Sequence, residues 1–112
     1  MWLSFLSGLT KQLGIDLGTE NTRVFVKGKG IVIQQPSVVA INKRTNQVMA
    51  VGEQALAMIG KTPASIHVSR PLQRGIIADF EVTEKLLRYF FDKVHEDSSL
   101  TIPRPKVVIC VP

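Results

Sequence analysis

Asp16, Gly18, Thr19, Asn21 and Thr22 crowd into one short stretch, Gly14-Ile15-Asp16-Leu17-Gly18-Thr19-Glu20-Asn21-Thr22. Their chemistry suits a phosphate. Gly18 has no Cβ, so the backbone can come close to a ligand. Exposed N–H groups and the side chains of Thr19, Asn21 and Thr22 can donate to phosphate oxygens. Asp16, where the first strand ends, can hold a divalent cation directly or through water. The same residues also suit an ordinary β-hairpin, with Asp16 and Asn21 as turn formers. Spacing alone favours the ordinary hairpin, because short Gly-rich patterns recur by chance.

The flanking pattern tells how such a turn would be held. Apolar residues alternate with small or acidic ones up to Gly18, and a second β-like run covers Thr22 to Lys27. That predicts strand, tight turn, strand. Gly28-Lys29-Gly30 then leads into Ile31 to Gln35 as a hairpin connection. After Pro36 come runs at Ser37 to Asn42 and Gln47 to Val51, separated by the polar turn Asn42 to Asn46. Together they predict an antiparallel meander. A short helix is expected over Glu53 to Ile59, between Gly52 and Gly60. Lys61 to Ala78 is irregular, with a β-like piece at Ile66 to Ser69, and its arginines Arg70 and Arg74 read as solvated loop residues.

The clearest helix is Val82 to Val94, with Asp79 or Thr83 as its cap. Val82, Leu86, Phe90 and Val94 form its core stripe, widened by Leu87. Glu81 with Lys85 and Glu84 with Arg88 are spaced for ion pairs worth about a few tenths of a kcal/mol each. Lys106 to Val111 is an almost unbroken apolar strand, which suggests a central strand covered on both faces. Cys110 is expected there as a buried thiol. A buried central strand needs neighbours that the rest of the chain hardly supplies, so a piece of something larger is expected. The divisions expected are 1–13, an amphipathic segment; 14–52, a meander with the turn; 53–105, a small inserted subdomain and helix; and 106–112, a central strand.

Residues Met1 to Leu13 stand apart. Trp2, Phe5, Leu6, Leu9 and Leu13 share one helical face. Such a helix can lie in a membrane surface or pack on the domain's own core. Lys11 and the terminal amine supply little attraction to anionic lipid.

Composition narrows the classes. The chain has 112 residues, 45% apolar and 21% charged, a globular balance with room for one limited core. Fourteen Lys and Arg against nine Asp and Glu give a net charge of +5, which favours acidic partners. The basic residues are scattered, so nucleic acid gains no support as a partner. A single cysteine excludes an intrachain disulfide, and neither His67 nor His95 has a second metal ligand nearby. No run is long enough for a transmembrane helix, and the N-terminus lacks the pattern of a secretory signal, so a cytoplasmic location is the expectation.

The series of motifs resembles a known family. Gly14 to Thr22, the hairpin Val26-Lys27-Gly28-Lys29-Gly30-Ile31-Val32 and Gln35-Pro36-Ser37-Val38-Val39-Ala40-Ile41 look like the start of an MreB-type bacterial actin. The likeness continues through Gly60-Lys61-Thr62-Pro63, Arg70-Pro71-Leu72, Gly75 to Phe80, Val82 to Lys85 and Val107 to Pro112. The first motif is shared across the actin, sugar-kinase and heat-shock ATPase superfamily; the whole series is far more specific. The resemblance implies an α/β, actin-like (ribonuclease-H-like) nucleotide lobe, present here as its N-terminal part with a small inserted subdomain. It implies ATP and Mg2+ as cofactors and filaments under the inner membrane that guide cell-wall synthesis. Self-association, the membrane surface and cell-wall elongation proteins would be the partners. On this reading Gly18, Thr19, Glu20 and Asn21 line the phosphates, and Asp16 helps to hold magnesium through water. Trp2, Phe5, Leu6 and Leu9 would form the membrane-binding helix that some members carry.

Two departures bear on this. The family usually has a small residue where Glu20 stands; a carboxylate there is tolerable if it points to solvent and only its N–H faces the nucleotide. The second phosphate loop, the adenosine-binding segment and the catalytic acid of the family all fall beyond Pro112, so no catalytic residue and no competent ATPase is expected in these 112 residues. The alternatives are a small-molecule kinase of the same superfamily, or a complete interaction module without nucleotide chemistry.

Overall fold

A computed structural model describes residues 12–96 and 106–111. The expected membrane residues Trp2, Phe5, Leu6 and Leu9 lie outside the described residues. The strands β1 (Gln12–Leu17), β2 (Asn21–Val26) and β3 (Gly30–Pro36) form antiparallel neighbours, and β9 (Lys106–Cys110) joins β1 in parallel, giving the order β3-β2-β1-β9. Alternation builds the inner face. Leu13, Ile15 and Leu17 of β1 oppose Val26, Val24 and Thr22 of β2, and all six are buried.

The long helix α2 (Phe80–Glu96) covers that face. Its stripe Val82, Leu86, Phe90 and Val94 is buried as its periodicity demands, with Leu87 and Phe91 packed at the edge. The helix starts two residues earlier than the apolar pattern suggests. Asp79 is the cap: its Oδ1 accepts the Val82 N–H at 3.1 Å. Thr83 instead donates its hydroxyl to the Asp79 carbonyl at 2.7 Å and is buried.

A second sheet has the order β5-β4-β6, from β4 (Val39–Asn42), β5 (Val48–Val51) and β6 (Ile66–Ser69). The expected meander is therefore broken after β3. Pro36 cannot extend the ladder with an N–H, and β4 takes its second partner from residues 66–69 instead. Strand β4 has both faces buried. Val39 and Ile41 belong to the main core, whereas Ala40, with Val38 just before the strand, packs against Ala55 of the short helix α1 (Glu53–Ala57). A small hairpin, β7 (Leu72–Gln73) with β8 (Ile76–Ile77), links this layer to α2.

Three further expectations fail. Among the described residues β9 has β1 alone beside it, and nothing covers the face away from α2. Val108 on that face is 63% exposed, and Ile109, on the α2 side in register with Ile15, is still 47% exposed. Cys110 is exposed as well, not a buried thiol. The unbroken apolar run marked a strand correctly, but burial depends on neighbours that a local pattern does not contain. The Glu84–Arg88 ion pair forms at 3.1 Å, whereas the expected Glu81–Lys85 pair is replaced. Both side chains turn to Asn46 of the β4–β5 turn: its Nδ2 donates to Glu81 Oε1 at 2.9 Å and its carbonyl accepts from Lys85 Nζ at 3.3 Å.

Candidate phosphate-binding turn

Strands β1 and β2 end in a turn of two residues, Thr19 and Glu20. The Gly18 N–H donates to the Asn21 carbonyl at 2.9 Å and closes it. Glycine is required here by contact. A Cβ on Gly18 would lie 2.5 Å from the Asn21 carbonyl oxygen, nearer than any real Cβ comes. Among the described residues the N–H groups of Thr19 and Glu20 donate to no backbone carbonyl, so two adjacent donors stand at the tip.

A residue far along the chain braces the turn. The Ser37 N–H donates to the Glu20 carbonyl at 2.8 Å, and its hydroxyl donates to the Gly18 carbonyl at 2.8 Å. Thr22 Oγ1 lies 2.7 Å from Ser37 Oγ. A hydroxyl has one proton, and Ser37 gives its own to Gly18, so Thr22 must be the donor of that pair. The chain of hydrogen bonds runs Thr22 to Ser37 to Gly18, with both side chains buried. Thr22 is thus committed inward and does not serve as a phosphate donor. Nothing near Thr22 in the sequence announces Ser37, which is fifteen residues away.

Thr19 is tied to a second distant element. Its Oγ1 accepts the Gly75 N–H at 3.0 Å. That bond fills a lone pair and leaves the hydroxyl proton to donate elsewhere. Gly75 lies in the β7–β8 turn, where Arg74 and Gly75 both take left-handed φ values, +53° and +74°. Left-handed φ at both central residues is what a two-residue hairpin connection of type I′ requires.

The remaining candidates lie on the open face of the sheet or at its end, together with Arg23, which sequence reasoning did not single out. Asp16, Asn21 and Arg23 alternate with buried neighbours and face away from α2, and Asp16 pairs in register with Arg23 of β2 and Cys110 of β9. Glu20 is exposed, as a side chain directed to solvent requires. Asp16, Gly18, Thr19, Glu20 and Asn21 are therefore gathered at one end of the β1–β2 hairpin. Among the described residues no cluster of three His, Cys, Asp or Glu could hold a metal by itself. Asp16 would need water and ligand oxygens to complete a magnesium shell.

The family described as MreB/Mbl protein matches residues 10–112. A cell shape-determining protein Mbl of Bacillus cereus is 51% identical over 102 residues, covering 91% of this chain and 30% of its own length. A cell shape-determining protein MreB of Escherichia coli is 47% identical across 100% of this chain and 33% of its own. Among solved structures, MreB 5 of Spiroplasma citri bound to AMPPNP superposes with a TM-score of 0.73 at 34% identity, covering 92% of this chain and 30% of that one. The chain spans about a third of the length of the curated relatives it matches.

Proposed function

The chain belongs to the MreB/Mbl protein family, and from that premise we propose that it supplies the first phosphate-binding turn of a nucleotide-dependent, filament-forming cell-shape protein. The observation that carries the proposal is the turn itself. Gly18 packs on the Asn21 carbonyl, Ser37 fixes the Gly18 and Glu20 carbonyls, and the Thr19 and Glu20 N–H groups are left to donate. Fixing both carbonyls from behind orders the N–H groups before any ligand arrives, which lowers the cost of binding. Asn21 adds amide donors and Thr19 a hydroxyl proton. Asp16, exposed at the same end of the hairpin, would hold a magnesium ion through water. The solved relatives bound to AMPPNP and ADP support a nucleotide as the ligand.

Nucleotide binding would act by favouring one shape of the protomer over another, and so its assembly. The filament would associate with the inner membrane through Trp2, Phe5, Leu6 and Leu9 and work with cell-wall elongation proteins; Leu13, expected on the same apolar face, is instead buried in β1 against Val26 of β2. The small-molecule kinase reading has no observation in its favour, since the matched relatives carry cell-shape names. The test is pelleting of the complete polypeptide that carries this chain, with ATP and magnesium. Filaments with nucleotide and none without support the reading; soluble protein under every nucleotide condition sinks it.

A further inference from the structure

A phosphate site built only from the turn is poorly balanced in charge. Asp16 and Glu20 bring two carboxylates to it, and among the described residues neither has a cation within ion-pair distance. Two N–H groups and an amide offer only partial positive charge against a polyphosphate. Arg23 is placed to correct this. Arg23 lies directly opposite Asp16 in the β1–β2 register and beside Gln34 of β3 on its other flank. It is exposed, and it shares the open face with Asn21, two residues away along β2. That spacing is about 7 Å of strand, within the span of a long side chain.

Arg23 is not spent on another task. Directly opposed residues in an antiparallel pair have Cβ atoms about 5 Å apart, yet Arg23 forms no ion pair with Asp16 or with any other described carboxylate. Its neighbours Thr22 and Val24 anchor β2 in the core, so the Arg23 backbone is held rigidly at the mouth of the turn. A guanidinium presents a planar fork of donors that matches phosphate oxygens in pairs. We propose that Arg23 is a phosphate ligand of this nucleotide site, offsetting Asp16 and Glu20 and holding nucleotide partly independently of magnesium. The proposal rests on the nucleotide reading above and goes beyond it by naming a cation outside the turn.

The experiment titrates ATP and ADP into the complete polypeptide, with magnesium and again with chelator, and reads affinity by calorimetry. R23L and R23Q should each lose about tenfold in affinity, as expected for one charge-assisted contact. R23K should keep part of it, and the loss should persist in chelator. K27Q, a change of the same charge at an exposed residue just beyond the end of β2, should bind as the parent does. Unchanged affinity in R23L and R23Q overturns the proposal and leaves the nucleotide reading standing. A gain in magnesium-dependent affinity also overturns it, because Arg23 would then be repelling the ion at Asp16. An equal loss in K27Q reduces the effect to net charge and overturns it too. A parent protein that binds no nucleotide overturns both readings.

Discussion

Gly18 and Ser37 decide whether the turn keeps its shape. Gly18→Ala puts a methyl where the Asn21 carbonyl oxygen already lies. The turn must open, and both tip N–H groups move with it. Nucleotide affinity of the complete polypeptide should fall at least tenfold, while strands held by the core keep their circular dichroism. Ser37→Ala acts differently, since it leaves the Gly18 carbonyl and the buried Thr22 hydroxyl without their partner. Unsatisfied buried groups cost about 1–3 kcal/mol, measurable by denaturant unfolding. Pairing Ser37→Ala with Thr22→Val removes the orphaned hydroxyl as well, so the double variant should cost less than the sum of the singles. Asp16 lies outside this brace and is exposed. Asp16→Ala should therefore leave stability within about 0.5 kcal/mol and lower nucleotide affinity only when magnesium is present, which titration with and without chelator separates.

Between elements, the weight falls on α2. Phe90 is 1% exposed in the centre of the core, and Phe80, ten residues earlier on the same helix, is 76% exposed. Phe90→Ala should cost about 3–5 kcal/mol, and Phe80→Ala almost nothing. A thermal melt of the two variants reads the contrast directly. This helix was legible in the sequence because its stripe repeats within a few residues and its cap, Asp79, is local. The β1–β2 hairpin was legible for the same reason: alternation and a glycine turn are local signals. What the sequence left hidden depends on distant partners. The break of the meander after Pro36 requires β6, which arrives only at Ile66. The inward role of Thr22 requires Ser37, and the tie on Thr19 requires Gly75. Asn46 reads as a plain turn residue until Glu81 and Lys85 are seen to hold it from α2. The site residues themselves were named by motif resemblance; periodicity alone left them divided between a phosphate turn and an ordinary hairpin.

On the scale of the whole molecule, a contact with a lipid surface can be tested. No helix among the described residues is long and apolar enough to cross a membrane. The amphipathic residues of the N-terminal stretch, Trp2, Phe5, Leu6 and Leu9, precede β1 directly in the chain. A lipid surface would take up that apolar stripe, and full burial of each large side chain is worth about 1.5–3 kcal/mol. Losing two aromatic rings to partial insertion should then reduce binding by about tenfold or more. Trp2→Ala with Phe5→Ala in the complete polypeptide should accordingly weaken co-sedimentation with liposomes. Within the N-terminal stretch itself Lys11 and the terminal amine are the only cations, so that stretch should add little dependence on salt or on anionic lipid content. Packing of the same residues on the protein's own core makes the opposite pair of outcomes: liposome binding stays constant and the melting temperature drops. Measuring both on one double variant assigns the segment to lipid or to core, since a stripe buried in the fold cannot at the same time be offered to a bilayer.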